Sequence, residues 1–219
     1  MLREVDIDEI SDGMRYKSSD MVRISCNDCN GCSKCCHDMC DTIILDPYDI
    51  YMMAAATGDT FEALLEYAIR LRPADSLLLP HIAMQEETGA CAFLSREGRC
   101  GIHRNRPGFC RLFPLGRIYE NGGFSYFNQI YECEYPNKSK VKIKKWLDIP
   151  NLAAYEEFVI KWHDMQNVLR NIISSGGSDT PTKVNVIMLK YFYKMPYNLS
   201  ESFYEQYDKR AESVMHEIN

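Results

Sequence analysis

The chain has 219 residues, 46% of them hydrophobic and 26% charged, which suits one domain with a substantial appendage and excludes global disorder. Its formal net charge of −6 argues against a generic nucleic-acid surface, which is usually basic, and metal-bound thiolates would make it more acidic still. The first fourteen residues carry three Asp and two Glu and no apolar segment, so they do not read as a secretory signal. No stretch approaches the ~18–20 uninterrupted apolar residues of a membrane helix. The expected location is a reducing cytoplasm, where ten cysteines serve as ligands in preference to disulfides.

Residues 1–25 form a polar N-terminal segment in which Met21-Val22-Arg23-Ile24 alternates like a short strand. Next comes CNDCNGCSKCCHDMC, residues 26–40, holding six of the ten cysteines with spacing C-x2-C-x2-C-x2-C-C-x3-C. It has no apolar periodicity and reads as a wrapped loop. Asp46 and Pro47 then predict a helix start, with the helix passing Ile50, Met53 and Ala54 and stopping at Thr57-Gly58. A second helix, capped by Asp59 or Thr60, is expected to run through Leu64, Leu65, Ala68 and Leu71 to Pro73.

Residues 78–135 change character, with short apolar runs between turn signals. Leu115–Tyr119 and Phe124–Tyr131 flank Asn121-Gly122-Gly123 and predict a hairpin. The segment KSKVKIKK, residues 138–145, sets lysines at 138, 140, 142 and 144 around Val141 and Ile143. That pattern suits an exposed edge strand guarded against aggregation; docking of an acidic partner is the functional alternative. From Leu152 to Ile172 apolar residues recur at three and four, predicting an amphipathic helix that ends at Gly176-Gly177. Val184–Tyr193 and Phe203–Ile218 are further apolar blocks, and their aromatic residues are assigned to a core. The expected fold is α+β. A metal-organised, cysteine-rich domain of short strands and loops with helices (26–146) follows segment 1–25, and a helical region (147–219) packs on it.

Four cysteines lie outside the run, at Cys91, Cys100, Cys110 and Cys133, and none occurs in the last 86 residues. Two residues between cysteines let both sulfurs face one ion while backbone N–H groups point at the thiolates. Zinc and iron–sulfur clusters both take four such ligands. Side chains of neighbouring residues tend to diverge, so Cys35 and Cys36 suit two centres better than one. Four cysteines from the loop and four from the middle suffice for two tetrathiolate sites. The bacterial ferredoxin pattern C-x2-C-x2-C-x3-C-P fails: counted from Cys29 its fourth ligand falls on Met39.

Arg96, Arg99, Arg104, Arg106, Arg111 and Arg117 place six of thirteen arginines within twenty-two residues. Thiolate centres are negative and guanidinium groups offer many donors, so charge compensation is the favoured reading over a solvated face. Arg106 and Arg111, which bracket Cys110, are the candidates for contact with the bound group.

The stretch Cys29-x2-Cys32-x2-Cys35-Cys36 followed by Leu45-Asp46-Pro47-Tyr48-Asp49-Ile50 resembles the opening of the YkgJ-type cysteine-cluster proteins, a zinc- or iron-chelating family. The resemblance continues through Cys91-Ala92-Phe93-Leu94, Cys100-Gly101-Ile102-His103, the element Arg106-Pro107-x2-Cys110-Arg111-x-Phe113-Pro114, and Cys133. It implies that Cys29, Cys32, Cys35, Cys36, Cys91, Cys100, Cys110 and Cys133 are the metal ligands. Cys26 and Cys40 fall outside the family pattern. His103 stands where the family often has tyrosine, as a packed ring or an extra ligand. Members are often described as iron–sulfur proteins, and relatives include flagellin lysine N-methylases.

The functional expectation is therefore a protein holding iron–sulfur clusters, [4Fe–4S] in type, for electron transfer or redox sensing with a redox partner. A structural zinc module that binds a protein partner is the alternative. A lysine methylase is a third reading suggested by the relatives alone: no glycine-rich nucleotide element is present, and a C-x3-C-x2-C loop begun at Cys36 and Cys40 meets Ile43. No catalytic constellation is identified, and neither membrane nor nucleic acid is an expected partner.

Overall fold

The computed structural model describes residues 6–25, 32–39, 42–133, 135 and 137–218. Cys26, Cys29 and Cys40 lie outside the described residues. After one helical turn, α1 (Ile7–Ile10), strand β1 (Met21–Ser25) pairs antiparallel with β6 (Ser139–Lys142), Val22 opposite Val141. The alternation seen in the sequence is physical: Val22 and Ile24 are buried while Met21 and Arg23 face solvent. The sheet has only two strands, so the lysine-rich β6 is an edge strand, with Lys140 and Lys142 exposed.

Helix α2 (Pro47–Thr57) starts where Asp46-Pro47 predicts. The Asp49 N–H donates to the Asp46 carboxylate (2.8 Å) and the Asp46 N–H donates to the Asp49 carboxylate (3.0 Å), a reciprocal capping box. Gly58 closes the helix at φ 78°. Helix α3 (Phe61–Tyr67) is capped by Thr60, which accepts from the Ala63 N–H.

It stops four residues short of the expected Leu71. Strand β2 (Ile69–Ala74) takes over, pairing with β3 (Leu77–Ile82) in register Ile69 opposite Ile82. Ile69-Arg70-Leu71-Arg72 carries a period of two as well as of four, and Asp75 and Ser76 at φ 48° and 72° supply a hairpin turn. Burial of Ile69, Leu77, Leu79 and Ile82 decides for the strand.

Short bridges lead to α4 (Gly108–Leu112), then to the expected hairpin of β4 (Leu115–Glu120) and β5 (Gly123–Asn128), which turns at Asn121 and Gly122. The strand expected over residues 138–145 ends at Lys142, because Ile143, Lys144 and Lys145 enter a short α5 (Ile143–Leu147) in which Ile143 and Leu147, four apart, are buried. The C-terminal part contains α6 (Leu152–Ser175), α7 (Thr180–Leu189) continuing into a π-helical turn at Lys190–Lys194, and α8 (Phe203–Ile218). Buried Arg210 of α8 secures that turn by donating to the carbonyls of Tyr191, Met195 and Pro196 at 2.7–2.9 Å.

One contiguous core joins the halves. Tyr48 of α2 lies 5.2 Å from the Tyr155 ring of α6 and 5.1 Å from the Phe203 ring of α8, centroid to centroid. The architecture is α+β with a helical C-terminal part. Among the described residues no helix is long and apolar enough to cross a membrane.

Candidate metal centre

Backbone hydrogen bonds sew the cysteine loop to the turn-rich middle. The Asp38 N–H donates to Gly89 O and the Cys91 N–H to Cys36 O (2.7 Å), while His37 bridges Ala90. A further bridge joins Met84 to Cys91, another joins Leu94 to Cys100, and Gly101 N–H donates to Phe93 O. Gly89 permits this approach: its φ is +64° and a Cβ there would collide with the Asp38 carboxylate. Two distant segments thereby deliver Cys35, Cys36, Cys91 and Cys100 to one place.

That place is a cavity of about 860 Å³ whose wall includes Cys32, Cys35, Cys36, Cys91, Cys100 and Cys110. Cys110 arrives on α4, and the position of α4 is set by Asp49. This carboxylate, 2% exposed, accepts from the Gly108 N–H at 2.7 Å while completing the cap of α2. Burial pushes the Asp49 carboxyl up to about 6, opposed by the Gly108 and Asp46 N–H groups and by the charges of Arg117 and Arg111. Gly108 has no room for a side chain, because a Cβ would collide with the Tyr155 hydroxyl.

Four thiols form a mutually interacting set. Cys110 feels the charge of Cys91, Cys35 and Cys100; Cys91 feels Cys100 and Cys35; and Cys100 feels Cys35. Burial is the main cause that raises the thiols of Cys91, Cys100 and Cys110 above the ordinary range. Cys35 is raised chiefly by its hydrogen bond to the Cys36 side chain and then by burial. The neighbouring thiols of Cys35 and Cys36 thus meet, against the divergence expected of adjacent residues. Cations reverse such shifts. Arg106, in the cavity wall, pulls Cys35 and Cys100 back down, as a bound metal ion would do more strongly.

The other expected residues fall in different places. Cys133 is half-buried and, among the described residues, is not part of that wall. Cys29 lies outside the described residues. His103 is an exposed residue of the wall. Arg111 is 3% exposed and its guanidinium donates to the backbone carbonyls of Arg106 (3.0 Å), Leu147 (3.2 Å), Asp148 (2.9 Å) and Arg104. It fastens α4 to the end of α5 and holds the loop that carries Arg106. Arg117 sits away from the cavity, between the rings of Phe124 and Tyr155.

Among the described residues no three Cys, His, Asp or Glu donors already stand close enough to hold a single ion. The thiols surround a space.

Sequence reasoning missed three features. Asp49 is a link between α2 and α4, 59 residues apart in sequence. Trp146 lines the cavity with its indole N–H donated to Phe113 O at 3.1 Å, and Lys140 and Lys145 join it in the wall. The lysine alternation marked β6 as an edge strand but carried no signal that one end borders the cysteines.

No curated protein and no solved structure matches the chain. A family model, CxxCxxCC, described as "Putative zinc- or iron-chelating domain", matches residues 28–141, the stretch that supplies every cysteine of the cavity wall. With more than half of its length covered by that model, the chain belongs to the CxxCxxCC family of metal-chelating domains.

Proposed function

We propose that Cys35, Cys91, Cys100 and Cys110 hold one iron–sulfur cluster, [4Fe–4S] in type, and that Cys29, Cys32, Cys36 and Cys133 supply ligands to a second. The observation that carries the reading is that these four thiols share the wall of one cavity of about 860 Å³, near enough for Cys35 to raise Cys91, Cys100 and Cys110 by its charge. All-sulfur donors are the soft ligands that iron–sulfur clusters and zinc share. The room in front of the thiols favours a polynuclear cluster, since a lone zinc draws four sulfurs to about 2.3 Å.

Bound there, the cluster would supply one-electron chemistry for transfer or sensing with a redox partner in the cytoplasm. The residues of this chain do the rest. Arg106 offsets the negative charge of the thiolates, Arg111 holds the Arg106 loop from behind, and Asp49 fixes the helix that presents Cys110. The metal-binding unit is taken as residues 26–146, and the helical region as its support.

Purification without oxygen followed by metal and sulfide analysis tests the reading. Brown protein absorbing near ~400 nm with equal iron and acid-labile sulfide supports it; colourless protein with stoichiometric zinc overturns it in favour of a structural zinc module.

A further inference from the structure

Besides its cysteines, the cavity wall carries mainly positive charge among the described residues. Arg99, Arg104, Lys140 and Lys145 line it and are exposed. None of the four forms an ion pair or a side-chain hydrogen bond among the described residues. Among the described residues Asp148 is the one carboxylate of the wall. Compensation of thiolate charge accounts for a fifth cation, Arg106, which acts on Cys35 and Cys100. The other four are not among the groups that shift the thiols of Cys35, Cys91, Cys100 and Cys110. In a chain of net charge −6, such a concentration of unpaired cations is a local exception.

The apolar part of the wall points the same way. Phe109, in the wall, is 39% exposed, and Trp146 is fixed in orientation by its bond to Phe113 O. A volume of about 860 Å³ lies within the range of small-molecule sites, and clefts lined by one sign of charge concentrate the opposite ion. Guanidinium groups match carboxylate and phosphate oxygens in pairs, with ammonium groups as added point charges.

We infer that this cavity, beside its thiols, binds a small organic anion, its carboxylate or phosphate held by Arg99, Arg104, Lys140 and Lys145 and its planar body set against Phe109 and Trp146. The site does not depend on which metal the thiols hold. A ligand bound there lies against the metal centre, placed to be its substrate or its effector.

The test is calorimetric titration of the full-length, metal-loaded protein at low salt with benzoate and with phenyl phosphate, which distinguish the two headgroups. Inorganic phosphate and benzyl alcohol isolate the charge and the ring. The expected result is saturable one-to-one binding of at least one aromatic anion, weaker for both controls. The double variant Lys140→Ala/Lys145→Ala should lose about tenfold in affinity with unchanged metal content, and Arg99→Gln/Arg104→Gln should do the same. Absence of saturable binding, equal binding of benzyl alcohol, or unchanged affinity in both double variants overturns the inference. Inorganic phosphate binding as tightly as phenyl phosphate overturns the aromatic part of the site. Metal assayed on the same samples separates the two readings: protein that keeps its metal and binds neither anion refutes this site alone.

Discussion

The two halves of the molecule are held together by different means. In the helical region α6, the π-helical turn after α7, and α8 bury Tyr155, Phe158, Trp162, Phe192, Phe203 and Tyr207 against one another. The Phe158 ring alone meets Tyr207 at 4.9 Å and Phe203 at 5.0 Å. Between Gln85 and Arg106, by contrast, only Ala90, Cys91 and Ile102 are buried. There the chain is held by isolated bridges, which are marginal alone. The helical region is stabilised by apolar burial, at roughly 25 cal/mol per Å², whereas the segment from Gln85 to Arg106 sets its thiols where few apolar side chains are buried.

Metal removal should separate the halves most sharply. Where binding of metal is also folding, its contribution reaches about 10 kcal/mol. After chelation, amide exchange in 32–39 and 85–110 should accelerate by orders of magnitude while the interior of α6, around Phe158 and Leu169, keeps its protection. Uniform acceleration along the chain would erase the contrast.

Protons should report the same difference. The thiols of Cys91, Cys100 and Cys110 are raised above their ordinary value of 9.0, mainly by burial. The metal-free fold then holds these protons more tightly than the unfolded chain does, so its stability is intact below pH 9 and declines as pH rises further. Metal uptake runs the opposite way, because it displaces the protons: affinity should rise with pH, with measurable acid release on loading in weak buffer. A pH-independent affinity would contradict protonated thiols in the metal-free fold.

A cavity in the aromatic core should cost stability without touching the metal. Phe158→Ala should lose about 3–5 kcal/mol in thermal or denaturant unfolding of the loaded protein and keep its metal stoichiometry. At the seam between the halves, Gly108→Ala drives a methyl group into the Tyr155 hydroxyl and should cost about 1–3 kcal/mol. Tyr155→Phe removes that oxygen, so the double variant should recover most of the loss, and equal losses with and without the hydroxyl would place the strain elsewhere. Smallest of all, Lys161→Ala breaks exposed ion pairs to Glu157 and Asp208 at 3.0 Å and should change stability by less than about 1 kcal/mol.

Legibility in the sequence follows the same division. Elements with a local cause were readable: the Asp46-Pro47 cap, the hairpin about Asn121-Gly122-Gly123, the long period of α6 and the alternation of β6. Ile69-Arg70-Leu71-Arg72 fitted two periods, and burial against β3 chose the one that local pattern did not. The candidate centre depends on contacts between remote segments. That Cys91 N–H reaches Cys36 O, or that Asp49 reaches Gly108, leaves no trace in spacing. Arg111 shows the converse, since its position beside Cys110 suggested contact with a bound group and its donors are spent on four backbone carbonyls.

Metal stoichiometry across single cysteine replacements tests the central claim most directly. Cys35→Ser, Cys91→Ser, Cys100→Ser and Cys110→Ser, purified without oxygen, should each lose the same share of metal, while Cys26→Ser should keep the full amount. Equal loss from all five, or full metal in any of the first four, would contradict a centre built on that set.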